Sequence, residues 1–355
     1  MKNKISFLGN FEDPGYEGLV SVSLKIKSFL ESKGVIVSFN KFNANILHIH
    51  SNGFLDGFKF SKYGNRIIYS LYSNFNTSVI GSILYYIELH TKYYDPRDKE
   101  FRVGPIIINA IFSIISPMVP LFVKRKILSK MKVVVLPNKY TYNKIKLKNA
   151  IVISLGIDVN KFIKIFGKDR KEPKKFVVAY FGHNTPLKGI PDVLGASKIL
   201  KNKNIEFRLY ISNYSPRIKK LIKKYNADVK VYGFVKDIVK EYNECDIIVL
   251  PYRSDVASIG VPLVLIEAMA CEKTIITTNL EYIKEVVQDC AECVDAYSPK
   301  QIARTIIRLK NDSNLRTELG KKARERVVKY YNQQKMFEEY EKLYKRFSSI
   351  PSKSH

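Results

Sequence analysis

The chain has 355 residues, 46% of them hydrophobic, enough to bury large cores and a length that suits two ordinary domains. Its 60 Lys and Arg against 33 Asp and Glu leave a net charge of +27, which favours an anionic partner: a phosphorylated small molecule, an anionic bilayer or nucleic acid. The four cysteines are too few for a disulfide framework, and Cys290-Ala-Glu-Cys293 lacks the second Cys or His pair of a zinc site, so it reads as a loop with two thiols.

The start, MKNKISFLGNF, has no sustained apolar region or small-residue cleavage site, so a cytoplasmic location is expected. The first strand-like run, ISFLG (5–9), leads to a loop, DPGYEG (13–18), that carries Gly15 and Gly18. VIVSF (35–39) and ILHIH (46–50) follow. His48 and His50 alternate along the latter, one expected to face the core and the other the opposite layer. His50, near the end of its strand, is the preferred polar contact of this half. RIIYSLY (66–72) ends on Tyr72. Residues 104–123 carry no charge and run into Lys124-Arg125-Lys126; Asn109, Pro117 and Pro120 interrupt them, so a broken interfacial helix with its basic residues on anionic headgroups is expected rather than a span, internal packing of the segment being the alternative. KVVVLP (132–137) and AIVISLG (150–156) complete the first series, and the charged stretch 166–175 reads as a linker.

A second series comprises FVVAYF (176–181), EFRLYIS (206–212), VKVYGFV (229–235), DIIVLPY (246–252) and TIITT (274–278), and an amphipathic helix closes the chain from Asn332 to Phe347. Strands alternating with helical segments imply two doubly wound parallel sheets, each Rossmann-like, and two such sheets facing each other make a cleft. Loops at the carboxyl ends of the strands are where ligands bind. Lys188-Gly189 opens a helix after the first strand of the second series, a cation beside free backbone N–H groups, and suits a diphosphate. GVPLVLIEAMAC (260–271) plants Glu267 in an apolar run, where a carboxylate accepts hydrogen bonds from the two hydroxyls of a ribose; Ser258 and Gly260 are small enough to let backbone approach a ligand.

Phe181-Gly182 with Lys188-Gly189, then VYGFV (231–235), DIIVLPYRS (246–254), PLVLIEAMAC (262–271) and TIITTN (274–279) resemble, in order and spacing, the group 1 family of retaining glycosyltransferases with the GT-B fold. The first half resembles it more loosely, through residues 13–18, ILHIHS (46–51) and LGIDVNKF (155–162). With the membrane-contact segment at 104–126 and the linker at 166–175 read above, the resemblance implies an acceptor-binding domain over 1–165 and a nucleotide-sugar domain over 176–331, and the terminal helix, 332–355, is expected to pack back on the first domain. It implies transfer of a sugar, with retention, from a UDP- or GDP-linked donor to a membrane-associated acceptor such as a lipid-linked glycan, at the inner face of the cell membrane and without a metal cofactor. The implied donor contacts are Lys188, His183, Gly182, Gly233, Phe234, Ser258, Ile259, Gly260, Val261 and Glu267; Lys188, Glu267, His183, His50 and Tyr72 are the candidates for the reacting centre, and Gly15 and Gly18 for an acceptor or phosphate loop.

Three positions depart from the family pattern. His183 stands where an Arg is usual and donates to phosphate more weakly. Ile259 replaces the first Glu of a Glu-x7-Glu pair, so sugar contacts there fall to backbone groups. Tyr72 stands where a His is usual. Other readings remain: a GT-B epimerase or hydrolase, a non-catalytic nucleotide-sugar-binding protein, or a nucleic-acid-binding module, the last disfavoured because no helix-turn-helix or zinc pattern occurs and the basic residues are spread along the chain.

Overall fold

A computed structural model describes residues 4–8, 17–41, 44–51, 66–71, 121–165, 175–211, 216–255 and 260–348. In the N-terminal half β1 (Lys4–Leu8), β2 (Ile36–Phe39), β3 (Ile46–Ser51), β4 (Ile67–Leu71), β5 (Val133–Leu136) and β6 (Ala150–Val152) form a six-stranded sheet in the order β2-β1-β3-β4-β5-β6. In the other half β7 (Phe176–Gly182), β8 (Ile205–Ile211), β9 (Lys230–Tyr232), β10 (Ile247–Leu250), β11 (Thr274–Thr278) and β12 (Glu292–Val294) form a second, in the order β12-β11-β10-β7-β8-β9. Every pairing in both is parallel. Strands β4, β5, β10 and β11 are buried at every position, which is why none of them shows a polar face: helices cover both faces of a parallel sheet, and the buried Ser70, Thr277 and Thr278 hydroxyls find partners on its neighbouring strands or just beyond them. The strand order reverses between β1 and β3 and between β7 and β10, and crevices open at such switch points.

One strand escapes the sequence reading. The segment taken as a loop with two thiols contains β12, whose three residues are too few to show a period; Cys290 before it is buried and Cys293 within it is exposed.

Helix α1 (Glu17–Ser32) follows β1, α2 (Leu121–Leu128) precedes β5, and α3 (Lys139–Ile145) follows it. The C-terminal half adds α4 (Ile190–Ile199), α5 (Pro216–Tyr225), α6 (Ile238–Asn243), α7 (Leu263–Ala270), α8 (Glu281–Val287), α9 (Pro299–Asn311) and α10 (Ser313–Tyr330). The last helix, α11 (Gln333–Ser348), lies on the N-terminal half, where Phe337 stacks on Phe29 of α1 at 5.0 Å. The chain therefore crosses between the halves twice. The crossings are joined where Ile157 bridges Asn332, and Gly156 leaves no room there, since a Cβ would lie 2.6 Å from the Gln333 nitrogen. Arg324 of α10 binds the carbonyls of Val159 (2.8 Å) and Ala270 (3.0 Å), tying the outgoing crossing to α7.

Two expectations are corrected here. His48 and His50 do not face opposite layers: two residues apart on a strand, they share a face, their ring centroids 3.9 Å apart. His48 bonds Tyr344 of α11 through Nδ1 and Ser70 of β4 through Nε2 at 2.6 Å, and Ser70 in turn meets the Tyr340 hydroxyl at 3.0 Å, so this ring anchors the returning helix. Burial drives the pKa of His48 well below its usual value and that of His50 to about 3, so both rings are neutral at pH 7.

The basic triplet does not point outward as a set. Lys124 is 2% exposed, and burial lowers its pKa to about 8. Arg125 donates to the carbonyls of Ile145 (2.6 Å) and Lys144 (3.3 Å), satisfying the open C-terminal end of α3. Only Lys126 is exposed, beside Phe122, which is 69% exposed. On an eight-residue helix three consecutive positions fan over most of the circumference, and one face must meet the sheet. No helix among the described residues is long and apolar enough to cross a membrane, and residues 104–120 lie outside them.

Candidate active site

The second switch point is closed by glycine. β7 ends at Gly182, with φ of +152°, where a Cβ would sit 2.9 Å from the Tyr180 hydroxyl. A 3-10 turn, Pro186–Lys188, then delivers Gly189 at φ +79°, and a Cβ there would lie 1.9 Å from the carbonyl oxygen of Pro251, the residue that follows β10. Only glycine permits both the left-handed backbone and this approach. The Lys188 turn is thus pressed onto the segment leaving β10. Its ammonium lies 5.0 Å from the centroid of the Tyr252 ring, and burial lowers its pKa to about 8.

A buried ion pair holds this geometry. Arg253 donates from its backbone N–H to the Leu187 carbonyl at 2.9 Å, and its guanidinium grips Asp192, in the first turn of α4, with Nε to Oδ2 at 2.7 Å and Nη2 to Oδ1 at 2.9 Å. The same guanidinium lies 4.5 Å over Tyr297. A forked contact of this kind fixes orientation as well as distance, which a lysine could not do. Neither Arg253 nor Asp192 stands out in the sequence, because nothing local says that residues 61 apart will pair.

Glu267 projects from α7 and accepts a hydrogen bond from Tyr242 of α6 at 3.0 Å. Burial pushes its pKa up, opposed by that bond and by the fields of Lys25 on α1 and Lys161. Tyr242 is fully buried and meets Phe181, the residue before Gly182, edge to face at 4.6 Å. Glu267 is thereby tied to the end of β7, the strand that leads to Lys188.

The N-terminal half reaches this site through α3. Asn138, its N-cap, accepts from the Thr141 N–H at 2.7 Å and donates through Nδ2 to the Gly260 carbonyl, also at 2.7 Å. Glu285 of α8 accepts the backbone N–H groups of Lys139 and Tyr140 at 2.8 and 2.7 Å. Asp255 accepts from the Tyr140 hydroxyl (2.7 Å) and Lys144 (3.0 Å). A recess of about 520 Å³ opens at this seam, walled by Lys139, Tyr140 and Lys144 on one side and Glu281, Lys284 and Glu285 on the other.

The remaining expected residues fall as follows. His183 is exposed just beyond β7, and its carbonyl accepts from the Tyr180 hydroxyl at 3.0 Å. Gly233 and Phe234 follow β9, two strand spacings or about 10 Å from β7. Phe234 is 83% exposed, an apolar ring left at the carboxyl end of its sheet. Gly260 and Val261 are buried at the entry to α7. His50 is buried against His48 and Phe7 inside the N-terminal half. Gly18 lies in the first turn of α1. Gly15, Tyr72, Ser258 and Ile259 lie outside the described residues. Among the described residues no group of three or more His, Cys, Asp or Glu is placed to hold a metal ion.

Residues 161–326 match the family described as Glycosyl transferases group 1. The chain is 31% identical over 180 residues to the capsular polysaccharide biosynthesis glycosyltransferase CapM of Staphylococcus aureus, covering 48% of this chain and 46% of that one. It is 27% identical over 220 residues to the N,N'-diacetylbacillosaminyl-diphospho-undecaprenol alpha-1,3-N-acetylgalactosaminyltransferase of Campylobacter jejuni, covering 56% and 54%. The chain thus matches about half the length of these relatives. Among solved structures, sucrose-phosphate synthase from Thermosynechococcus elongatus superposes with a TM-score of 0.73 at 16% identity, over 98% of this chain and 100% of that one. The Anabaena protein HepE, in complex with UDP and glucose, gives 0.69 at 15% identity, again over 98% and 100%. The fold is GT-B, two parallel-sheet α/β domains.

Proposed function

We propose that this protein is a glycosyltransferase that moves a sugar from a UDP- or GDP-linked donor to a membrane-associated acceptor, a lipid-linked glycan, with retention and without a metal cofactor, working peripherally at the inner face of the cell membrane. The observation that carries the reading is Lys188, held by Gly189 against the segment after β10 at the switch-point crevice, together with Glu267, tied through Tyr242 to the end of β7, in the half of the chain that matches the group 1 family. In this scheme the bond from sugar C1 to the diphosphate breaks, and the acceptor oxygen bonds C1 on the same face and passes its proton to a diphosphate oxygen. Lys188, His183 and backbone N–H groups stabilise the departing diphosphate, and Glu267 holds the ribose hydroxyls. Phe234 offers its exposed ring to the nucleobase. The Campylobacter relative, whose name carries a diphospho-undecaprenol-linked sugar, supports the acceptor class.

The test is a panel of labelled UDP- and GDP-sugars presented with lipid-linked glycan acceptors, with and without EDTA, and the anomeric configuration of the product read by NMR. Transfer with retention, unchanged by EDTA, is expected. Donor hydrolysis or epimerisation without transfer would overturn the reading.

A further inference from the structure

The two faces of the second sheet are covered by helices of different charge. On one face lie α6, α7, α8 and most of α10, each with at least one glutamate; on the other lie α4, α5 and α9. In these three the only acidic residue is Asp192, which is buried and committed to Arg253. The layer runs in the order α9, α4, α5, and α4 is sunk beneath its neighbours. Residues 190–197 are all buried, and a Cβ on Gly195 would lie 2.8 Å from Pro299 Cβ of α9 and 3.9 Å from Tyr225 Cε1 of α5. Solvent therefore meets two basic rows. On α5, Ile218, Leu221, Ile222 and Tyr225 pack on the core, which turns Lys220, Lys223 and Lys224 outward. On α9, Ile302, Ile306 and Leu309 point inward, and Lys300 and Arg304, one turn apart, are exposed. Lys198 is exposed at the end of α4. Among the described residues none of these six cations forms an ion pair.

We infer that this layer is a docking face for an anionic bilayer, on the opposite domain from Lys126; the inference rests on the peripheral membrane location proposed above. A surface with cations and no exposed carboxylate repels itself until an anionic partner covers it. All but Arg304 are lysines, compact point charges that suit headgroups spread over a plane, whereas a nucleic-acid backbone is gripped by forked arginine contacts. Ile199, 48% exposed beside Lys198, adds an apolar contact that suits the acyl boundary. The geometry also serves the crevice. The helix layer lies against the face of the sheet, while the crevice opens at the ends of its strands. Docked on this layer, the domain keeps the crevice open along the membrane instead of capped by it, about one helix diameter, roughly 10–12 Å, above the headgroups and within reach of a lipid-linked acceptor.

Co-sedimentation of the full-length protein with vesicles of equal parts phosphatidylcholine and phosphatidylglycerol tests this in K220Q/K223Q/K224Q. A control, K321Q/K322Q/K329Q, removes the same charge from exposed positions on α10. The α5 variant should bind roughly tenfold more weakly or worse, with the control within about twofold of wild type, and all three proteins should melt together because every changed side chain is exposed. Equal weakening in both variants would mean that net charge alone is sensed and would overturn the docking face. Wild-type binding by the α5 variant would overturn it too, while leaving the peripheral location to other contacts. Wild-type protein that ignores anionic vesicles would overturn that location and this face with it. Binding to duplex DNA that is tighter than to the vesicles and lost in the α5 variant would overturn the bilayer as partner in favour of nucleic acid.

Discussion

Raising the pH from 7 to 9 should strip the proton from Lys188 before any diphosphate arrives, because burial holds its pKa at about 8. A group of that pKa is roughly 90% charged at pH 7 and roughly 10% charged at pH 9. If only the ammonium grips the diphosphate, affinity falls about ninefold over this range, or ~1.3 kcal/mol. A terminal phosphate, with its second pKa near ~6, stays ionised throughout. The bound anion restores the proton, so binding should take up ~0.1 proton at pH 7 and ~0.9 at pH 9. Calorimetric titration with UDP or GDP in buffers of different ionisation enthalpy reads both quantities. K188M should remove the trend and the proton uptake together. The unliganded protein carries the opposite signature. The folded pKa is depressed, so between the folded and unfolded values the unfolded chain binds more protons and stability rises with pH, while below about pH 8 the whole cost of the buried charge is present. With allowance for partial solvent access, K188M should stabilise the empty protein at pH 7 by about 1–3 kcal/mol. Affinity that stays level from pH 7 to 9 with no proton uptake would refute the assignment of Lys188 to the diphosphate.

Glu267 must be ionised to accept two hydroxyls, and burial raises its pKa, so nucleoside diphosphate affinity should weaken on acidification at a higher pH than an ordinary glutamate would dictate. E267Q should remove that acid limb and cost about 2–4 kcal/mol in transition-state binding, measured as kcat/KM. R253M leaves Asp192 buried without its partner and should cost about 3–5 kcal/mol of stability in denaturant titrations, whereas the double change R253M/D192L should lie closer to wild type. K126Q should weaken binding to anionic vesicles by about 1 kcal/mol, read by co-sedimentation. R125Q should instead lower thermal stability, since its guanidinium serves the end of α3, and vesicle binding lost in R125Q but kept in K126Q would contradict this division.

The sequence by itself determined that the chain forms two parallel α/β sheets and which runs, β12 apart, supply their strands. Continuous apolar runs such as VVVL in β5 and IIVL in β10 suit the strands of a parallel sheet covered on both faces, and Lys188-Gly189 announces its turn because glycine's backbone freedom is a local property. Tertiary structure decided the rest. Lys124 and Lys126 are equally basic as letters, yet one is buried and the other exposed, since the face a short helix turns inward depends on the sheet beneath it. Tyr242 reads as a core aromatic until its hydroxyl meets Glu267. Nothing in the sequence near Asn138 names Gly260, 122 residues away, as its partner. A local pattern records how a residue meets the core of its own element. A contact between domains depends on how two rigid bodies sit together, and that is fixed by the crossings at Ile157 and Asn332 and by α11 returning to His48.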